Sequence, residues 1–287
     1  MLSIHTNYTS LITQNNLNKT SGAMDNAMQR ISTGFRINSA SDDAAGLQIA
    51  TRLQSQVNGL GVAQRNSQDA ISMMQTAEGA FDEMTNIAHR MKDLATQAAN
   101  GTNSTDEHDA MQAEWDQLAE ELQSIIDNTQ YGSGTSLFKA DEGLFTDAVT
   151  FQIGATTDEK LTVNIAEGIE AVDGHIDALA AFSLGGEDPV DPGARSADDA
   201  MNGVDALLAD IGSVRSELGA NINRLDHTIT NLGNMAENTE MAKGRIMDTD
   251  YAVESSNMMK NQMLTQMSMS MLSQANGMSG MVMSLVG

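Results

Sequence analysis

The chain has 287 residues, a formal net charge of −24, no cysteine and two prolines, Pro189 and Pro192. The missing cysteine excludes disulfides, thiolate metal sites and cysteine nucleophiles. The acidic balance without a basic cluster argues against nucleic-acid binding and against attraction to anionic membranes. There is no apolar run of about 18 residues that would predict a transmembrane helix. Aromatic residues make up only 3% of the chain, which favours slender helical packing over a thick globular core.

The N-terminal segment has the apolar spacing of a coiled-coil helix. Its apolar residues recur at intervals of seven, four, three and four positions: Leu17, Met24, Met28, Ile31 and Phe35. Gly34 and the polar stretch 38–43 interrupt this pattern, and the stretch offers serine and aspartate side chains that cap helix N-termini. A second helix is therefore expected to follow.

That second helix is predicted to be some fifty residues long. Residues spaced alternately three and four run from Ala50 to Met74 and on to Phe81, and after a slip of one position they continue from Met84 to Ala98. A helix of this length would measure about 75 Å at about 1.5 Å per residue. We therefore expect an elongated molecule.

Two further helices flank a segment of different character. The first, after Asn100-Gly101, has a seam from Met111 to Thr129, and the second has one from Val204 to Ala236. Between them, apolar and polar residues alternate around 151–153 and 161–165, which predicts a β-hairpin. An acidic loop with both prolines follows at residues 185–195, and Ser196 is the expected N-cap of the later helix.

The C-terminal segment is rich in methionine, with nine of the chain's 21 methionines between Met258 and Met283. Its seam residues recur at heptad-like spacing, and the apolar ones at its centre are Leu264, Met267, Met271 and Met278. A segment so poor in leucine and isoleucine buries little by itself, so packing against sister copies would complete it. The alternative is an ordinary methionine-rich core helix.

These segments predict a mainly α fold. We expect an elongated antiparallel coiled coil or helical bundle with paired N- and C-terminal helices and a small insert containing a β-hairpin at about 150–166. Residues 139–200 hold 14 acidic and 3 basic residues, whereas 1–40 and 244–287 are nearly neutral. Because like charges repel in a crowded assembly, the ends are expected to pack between subunits and the middle to face outward.

Catalytic and cofactor motifs are missing. The five histidines have no metal-ligand spacing, and no His-Glu-x-x-His motif occurs. The acidic cluster around His108 falls at a predicted helix start and is expected to be a solvated first turn. We predict no enzyme activity, no cofactor and no metal.

Several stretches resemble bacterial flagellins, and together they cover most of both ends of the chain. The most specific is QRISTGFRINSASDDAAGLQIA at residues 29–50. The others are NSQDAIS at 66–72, QTAEGA at 75–80, MKDLATQAANG at 91–101, FQIGA at 151–155, LGANINRL at 218–225 and IMDTDYA at 246–252. The first residues and the methionine-rich tail are most similar to lateral-type flagellins.

The resemblance implies a domain plan and a function. Residues 1–40 and 244–287 would form the inner core of a flagellar filament. Residues 41–140 and 196–243, with the hairpin, would form an outer coiled-coil domain, and 141–195 would be a short exposed variable region. The chain would be an extracellular structural subunit for motility, exported through the flagellar type III apparatus without a cleaved signal peptide. Its partners would be other copies of itself, an export chaperone on the C-terminal segment, a filament cap and the hook–filament junction proteins.

The resemblance also implies a ligand role. Flagellins recognised by the vertebrate Toll-like flagellin receptor use an Arg and a Leu on the long helix and a Glu on the next. Arg90, Leu94 and Glu114 occupy the matching positions, although His89 stands where glutamine is common. The alternative is that these residues lie on ordinary solvated helix faces.

Three other functions remain as alternatives to a filament subunit. A hook–filament junction protein shares the end segments, but the central match favours flagellin. A secreted coiled-coil binding module, such as a translocator or adhesin, is the second, and an enzyme, which no motif supports, is the third. Electron microscopy of the purified protein would separate filament formation from the last two.

Overall fold

A computed structural model describes residues 6–132, 134–139, 143–184 and 197–286, with side chains described through residue 277. The acidic loop at 185–195, the expected N-cap Ser196 and the side chain of Met278 lie outside the described residues. The mainly α fold predicted from the sequence is confirmed. The helices are α1 Tyr8–Thr33, α2 Ala44–Ala98, α3 Thr105–Asn128, α4 Ala166–Ala180, α5 Ala197–Met247 and α6 Tyr251–Val286. The strands are β1 Gln130–Tyr131, β2 Thr135–Ser136, β3 Val149–Gln152 and β4 Lys160–Val163, with a short 3-10 helix at Leu144–Thr146.

The chain divides into two compact units. Unit 1 comprises residues 1–57 and 237–287, and unit 2 comprises residues 58–236. Both boundaries fall inside helices, α2 and α5, rather than in loops. Charge is divided very unevenly, because unit 2 holds 31 acidic and 8 basic residues while unit 1 holds 8 and 7.

Local signals explain where α1 begins and ends and where α3 begins. Asn7 caps α1 by accepting the Ser10 backbone N–H at 3.1 Å, and Gly34 ends it in the left-handed conformation with φ of 77°. At the start of α3, the Ser104 backbone N–H donates to the Glu107 carboxylate at 2.6 Å. That hydrogen bond lowers the pKa of Glu107 and forms half of a capping box.

The buried face of α2 in unit 2 follows one uninterrupted register. Its core residues are spaced alternately three and four across 60–98. The register predicted from the sequence is wrong at two points, because Gln64 and Ile71 are half-buried while Ala63 and Ala70 lie in the core. With these alanines in the seam, the slip of one position falls at Leu60, between Val57 and Ala63, and not after Phe81.

Trp115 on α3 occupies the centre of the unit 2 core. It is fully buried, and its Nε1–H donates to the Leu179 carbonyl at 2.9 Å. The side-chain amide of Gln112 donates to the Phe182 carbonyl at 3.0 Å and accepts the Leu184 backbone N–H at 2.7 Å. These bonds fix α4 and the residues after it against α3.

The predicted hairpin is confirmed. β3 and β4 are antiparallel, with Val149 opposite Val163 and Gln152 opposite Lys160. That 141–195 faces outward from a filament stays a prediction, but in its described part an array of side chains is buried in the same core as α2, α3 and α5. That array is Phe145, Leu161, Val163, Ile165, Ile169, Val172, Ile176, Leu179, Phe182 and Leu184.

Candidate self-assembly surface

α1 and α6 pair side by side within unit 1, in opposite directions. Near one end, the Asn7 side-chain amide donates to the Ala275 carbonyl at 2.8 Å, and the Ser10 hydroxyl donates to Asn276 Oδ1 at 2.9 Å. Near the other end, Arg30 forms an ion pair with Glu254 at 3.7 Å. The predicted pairing of the N- and C-terminal helices is therefore confirmed.

Small and polar side chains occupy the buried positions of the contact between these helices. On α6, Glu254, Ser268 and Ala275 are buried, and on α1 the buried residues are Thr13 and Ala27. These side chains bury little apolar area, and burial of apolar area is the main stabilising contribution to helix packing. The larger apolar residues of the contact, such as Leu17 and Leu272, are only half-buried, so the contact leaves part of their apolar area in water.

The predicted assembly residues divide between two faces. Leu17, Met24 and Ile31 are half-buried on the side of α1 that faces α6, whereas Met28 and Phe35 are exposed. On α6, the predicted seam residues Leu264, Met267 and Met271 are all exposed, and Met267 is 61% exposed. These three residues stay predicted self-assembly residues, while Ser268 and Ala275 occupy the buried positions of α6.

Further apolar residues extend the exposed surface, and the sequence analysis did not select them. They are Tyr8, Leu11 and Ile12 on α1, and Tyr251, Val253, Met259, Met263 and Met269 on α6. A sequence pattern could have identified part of this surface, since Met259, Met263, Met267 and Met271 recur every four residues and so lie along one stripe of α6. We call the exposed methionines of this helix, Met259, Met263, Met267, Met269 and Met271, the α6 methionine face.

A short backbone clasp joins the segment after α1 to the turn between α5 and α6. The Arg36 N–H donates to the Met247 carbonyl at 2.6 Å, and the Thr249 N–H donates to the Gly34 carbonyl at 3.0 Å. The Arg36 guanidinium adds a bond to the Ile246 carbonyl at 2.9 Å. The clasp keeps the two terminal helices in register at their shared end.

The receptor candidates lie in unit 2. Arg90 and Glu114 are partly exposed and form an ion pair, with Nη2 and Oε1 2.6 Å apart and Nε donating to the same oxygen at 2.8 Å. Leu94 is only 2% exposed, because its side chain belongs to the buried seam of α2. The receptor contact through Leu94 stays a prediction, and it would require this buried side chain to become accessible.

Neither a metal site nor a membrane-spanning helix is found among the described residues. Within them, no group of three or more His, Cys, Asp or Glu side chains is placed to hold a metal ion. None of the described helices is long and apolar enough to cross a membrane. The prominent feature of the molecule is its exposed apolar surface on α1 and α6.

Comparison with known proteins points to one group. Residues 4–142 match the family described as Bacterial flagellin N-terminal helical region, and residues 201–286 match the Bacterial flagellin C-terminal helical region. The chain is 41% identical over 251 residues to a flagellin from Halalkalibacterium halodurans, with 87% of each chain covered. It is 33% identical to polar flagellin F of Vibrio parahaemolyticus, with 100% of each chain covered. A structure described as a putative flagellar hook-associated protein from Vibrio parahaemolyticus has a similar fold, with a TM-score of 0.60 at 19% identity, covering 72% of this chain and 100% of that one.

Proposed function

We propose that this chain, which belongs to the bacterial flagellin family and is a structural subunit of the flagellar filament, joins its sister copies through the exposed apolar residues of α1 and α6. One observation carries the proposal. The paired helices leave many apolar side chains exposed on their outer side, among them Leu11, Tyr251 and Met263. Contiguous exposed apolar surface of this kind marks a protein interaction site.

Association would bury what the single chain leaves exposed. Removing apolar area from water contributes about 25 cal/mol per Å², and each exposed methionine of α6 would add to that gain. The surfaces on α1 and α6 differ in sequence, so a contact between copies need not be self-complementary. Contacts between different patches on successive copies generate an open helical polymer.

The charge distribution favours the same arrangement. Unit 1, with 8 acidic and 7 basic residues, packs against copies of itself with little net repulsion. Unit 2 has a net charge of −23, which suits an outward, hydrated position. The inner core formed by the chain ends and the outer domain formed by the middle therefore agree with the electrostatics of the chain.

A charge placed on the α6 methionine face tests the proposal. Met263→Asp adds a carboxylate to an exposed site, so the subunit should keep its circular dichroism spectrum and its unfolding midpoint. Filament assembly, followed by sedimentation and negative-stain microscopy, should be lost, because the carboxylate would be buried between copies. Asn223→Asp adds the same charge at an exposed site in unit 2 and should assemble.

Two results would contradict the proposal. If Met263→Asp assembled at the same critical concentration as the unchanged protein, the α6 face would not be an intersubunit contact. If a chain lacking residues 1–40 still polymerised, the terminal helices would be dispensable and the structural role assigned to them would be wrong.

The remaining partners follow from family membership and from the same exposed surface. An export chaperone would cover the α6 methionine face before export, and the cap and hook–filament junction proteins would contact the filament at its two ends. Export would proceed without a cleaved signal peptide. The intact mass of subunits recovered from filaments tests the export route, and loss of chaperone binding in Met263→Asp tests the surface.

The alternatives from the sequence analysis make different predictions. A hook–filament junction protein would not form long filaments alone, and a secreted binding module would stay monomeric. The similarity to the hook-associated structure concerns the fold alone, at 19% identity. Long filaments grown from the purified chain would favour the filament subunit over both.

A second function, as a ligand of the Toll-like flagellin receptor, is favoured by the exposed Arg90–Glu114 ion pair. Two side chains held together at 2.6 Å present a preorganised charged site, which lowers the entropy cost of binding. Arg90→Ala should weaken activation of receptor-bearing reporter cells by monomeric protein, whereas Arg224→Ala, an exposed arginine on α5, should not. Equal activity of the two variants would remove this function.

A further inference from the structure

We infer that the α6 methionine face is an oxidation site, and that sulfoxide formed there by a peroxide or hypochlorous acid blocks filament assembly. This inference rests on the proposed function of α6 as an intersubunit contact. It adds a chemical modification and a form of regulation that the assembly role alone does not require.

The structure separates two populations of methionine in one chain. In unit 2, Met74, Met84 and Met91 are 0% exposed. On α6, Met263 and Met267 are each 61% exposed. Because an oxidant must reach the sulfur, the buried population serves as a protected internal reference for the exposed one.

The reaction is an oxygen transfer to the thioether. A sulfur lone pair attacks one oxygen of hydrogen peroxide, the O–O bond breaks, and water leaves after proton transfer to the departing oxygen. The sulfur is oxidised to the sulfoxide and the peroxide is reduced to water. The product is a polar, chiral side chain in place of a flexible apolar one.

Because these methionines are exposed on α6, their oxidation should affect filament assembly and not the fold of the subunit. The buried residues of α6 are Glu254, Ser268 and Ala275, and they contain no oxidisable sulfur. The methionines on the same contact, Met24 on α1 and Met258 on α6, are half-buried and are therefore less accessible to the oxidant than the α6 methionine face. Oxidation of the α6 methionine face therefore leaves the pairing within the subunit in place. A sulfoxide oxygen buried between copies without a hydrogen-bond donor opposes association.

The expected consequence is a subunit that folds but does not polymerise. The critical concentration for assembly should rise at least about tenfold after oxidation, which corresponds to about 1.4 kcal/mol. Once the filament has formed, the same methionines should be protected, because the neighbouring copy covers them.

The test compares oxidised and untreated full-length subunits. Purified monomer is treated with hydrogen peroxide, the reagent is removed with catalase, and sulfoxide is located by peptide mass spectrometry. Sulfoxide should form on the α6 face before Met74, Met84 and Met91. Assembly is then measured by sedimentation, and filaments treated after assembly serve as the protected reference.

Matched variants separate this surface from other exposed methionines. A variant with leucine at 259, 263, 267, 269 and 271 should assemble equally well before and after peroxide. A variant with Met241→Leu, which removes an exposed methionine outside α1 and α6, should assemble before treatment and lose assembly on treatment as the unchanged chain does. The first variant could itself assemble poorly without peroxide. In that case the oxidised unchanged chain is treated with methionine sulfoxide reductases, and recovery of its assembly shows that sulfoxide caused the loss.

The outcomes distinguish the two proposals. Failure of the untreated chain to polymerise would count against the proposed function. Normal polymerisation of a chain with sulfoxide on its α6 methionine face, or equal peroxide sensitivity of the α6 leucine variant, would overturn the oxidation site alone.

Discussion

Replacement of Leu179 by alanine tests whether α4 is part of the unit 2 core. Leu179 is fully buried, and its side chain lies so close to α5 that a Cβ on Gly203 would come within 3.1 Å of it. Because its neighbours are so tightly packed, they can move little to fill the cavity that removal of the Leu179 side chain would leave. Within the usual range of about 2–5 kcal/mol for a buried Leu→Ala change, we expect a loss of about 3 kcal/mol.

Urea unfolding measures this loss directly. With an m value of about 2 kcal/mol/M, the midpoint should fall by about 1.5 M. Trp115 is the chain's only tryptophan, and its Nε1–H donates to the Leu179 carbonyl, so its fluorescence reports on this part of unit 2. Glu170→Ala, an exposed change on the same helix, should leave the midpoint within about 0.3 M. A loss below about 0.5 kcal/mol for Leu179→Ala would refute the assignment of α4 to the core.

Three further predictions concern conformation, pH and salt. Gly34→Ala places a side chain at φ of 77° and should cost about 1–2 kcal/mol, seen as faster hydrogen exchange at the Thr249 amide; unchanged exchange would contradict it. Burial raises the pKa of Asp173, so its carboxylate weakens the fold at neutral pH. Asp173→Asn should therefore be more stable than the unchanged chain at pH 7, with the advantage gone below the ordinary pKa of 3.8; a pH-independent difference in unfolding midpoints would refute this. Because unit 2 has a net charge of −23, filament growth followed by light scattering should be faster in about 0.15 M than in about 0.01 M salt, and growth slowed by salt would argue against repulsion between subunits.

Heptad spacing was sufficient to predict the long helices, and alternation of apolar and polar residues was sufficient to predict the hairpin. Runs such as Val204, Leu207, Ile211 and Val214 specify a helix with one buried stripe, whatever that stripe packs against. The register within α2 was harder to predict, because the seam uses Ala63 and other alanines whose apolar signal is weak. Sequence spacing therefore favoured a larger residue one position away, such as Ile71 in place of Ala70.

The face of α6 that contacts α1 could not be predicted from spacing alone. Periodicity identifies the apolar stripe of a helix, but it does not say whether the same chain or another copy covers it. In α6 the apolar stripe and the intrachain contact are different faces, and only the positions of Ser268 and Ala275 distinguish them. The assembly residues remain predictions until filaments of the variants are measured.

The helix α4 was missed although its signal was present. Ile169, Val172, Ile176 and Leu179 have the spacing of a buried helix face. Because the segment also carries many acidic residues, it was interpreted as an exposed variable region and not as a buried helix. The exposed face of the helix is acidic, with Glu167, Glu170 and Asp177, and its other face is core, as expected of an amphipathic helix.

The clasp and the pairing of α1 with α6 fix the order in which the molecule can fold. Asn7 donates to a carbonyl 268 positions later in the chain, and Arg36 pairs with Met247 through the backbone. The first helix has no partner until nearly the entire polypeptide is present, while unit 2 is contiguous and needs neither terminus. Closing so long a loop is slow when the intervening chain is unstructured, so unit 2 should fold first and bring the two ends together afterwards.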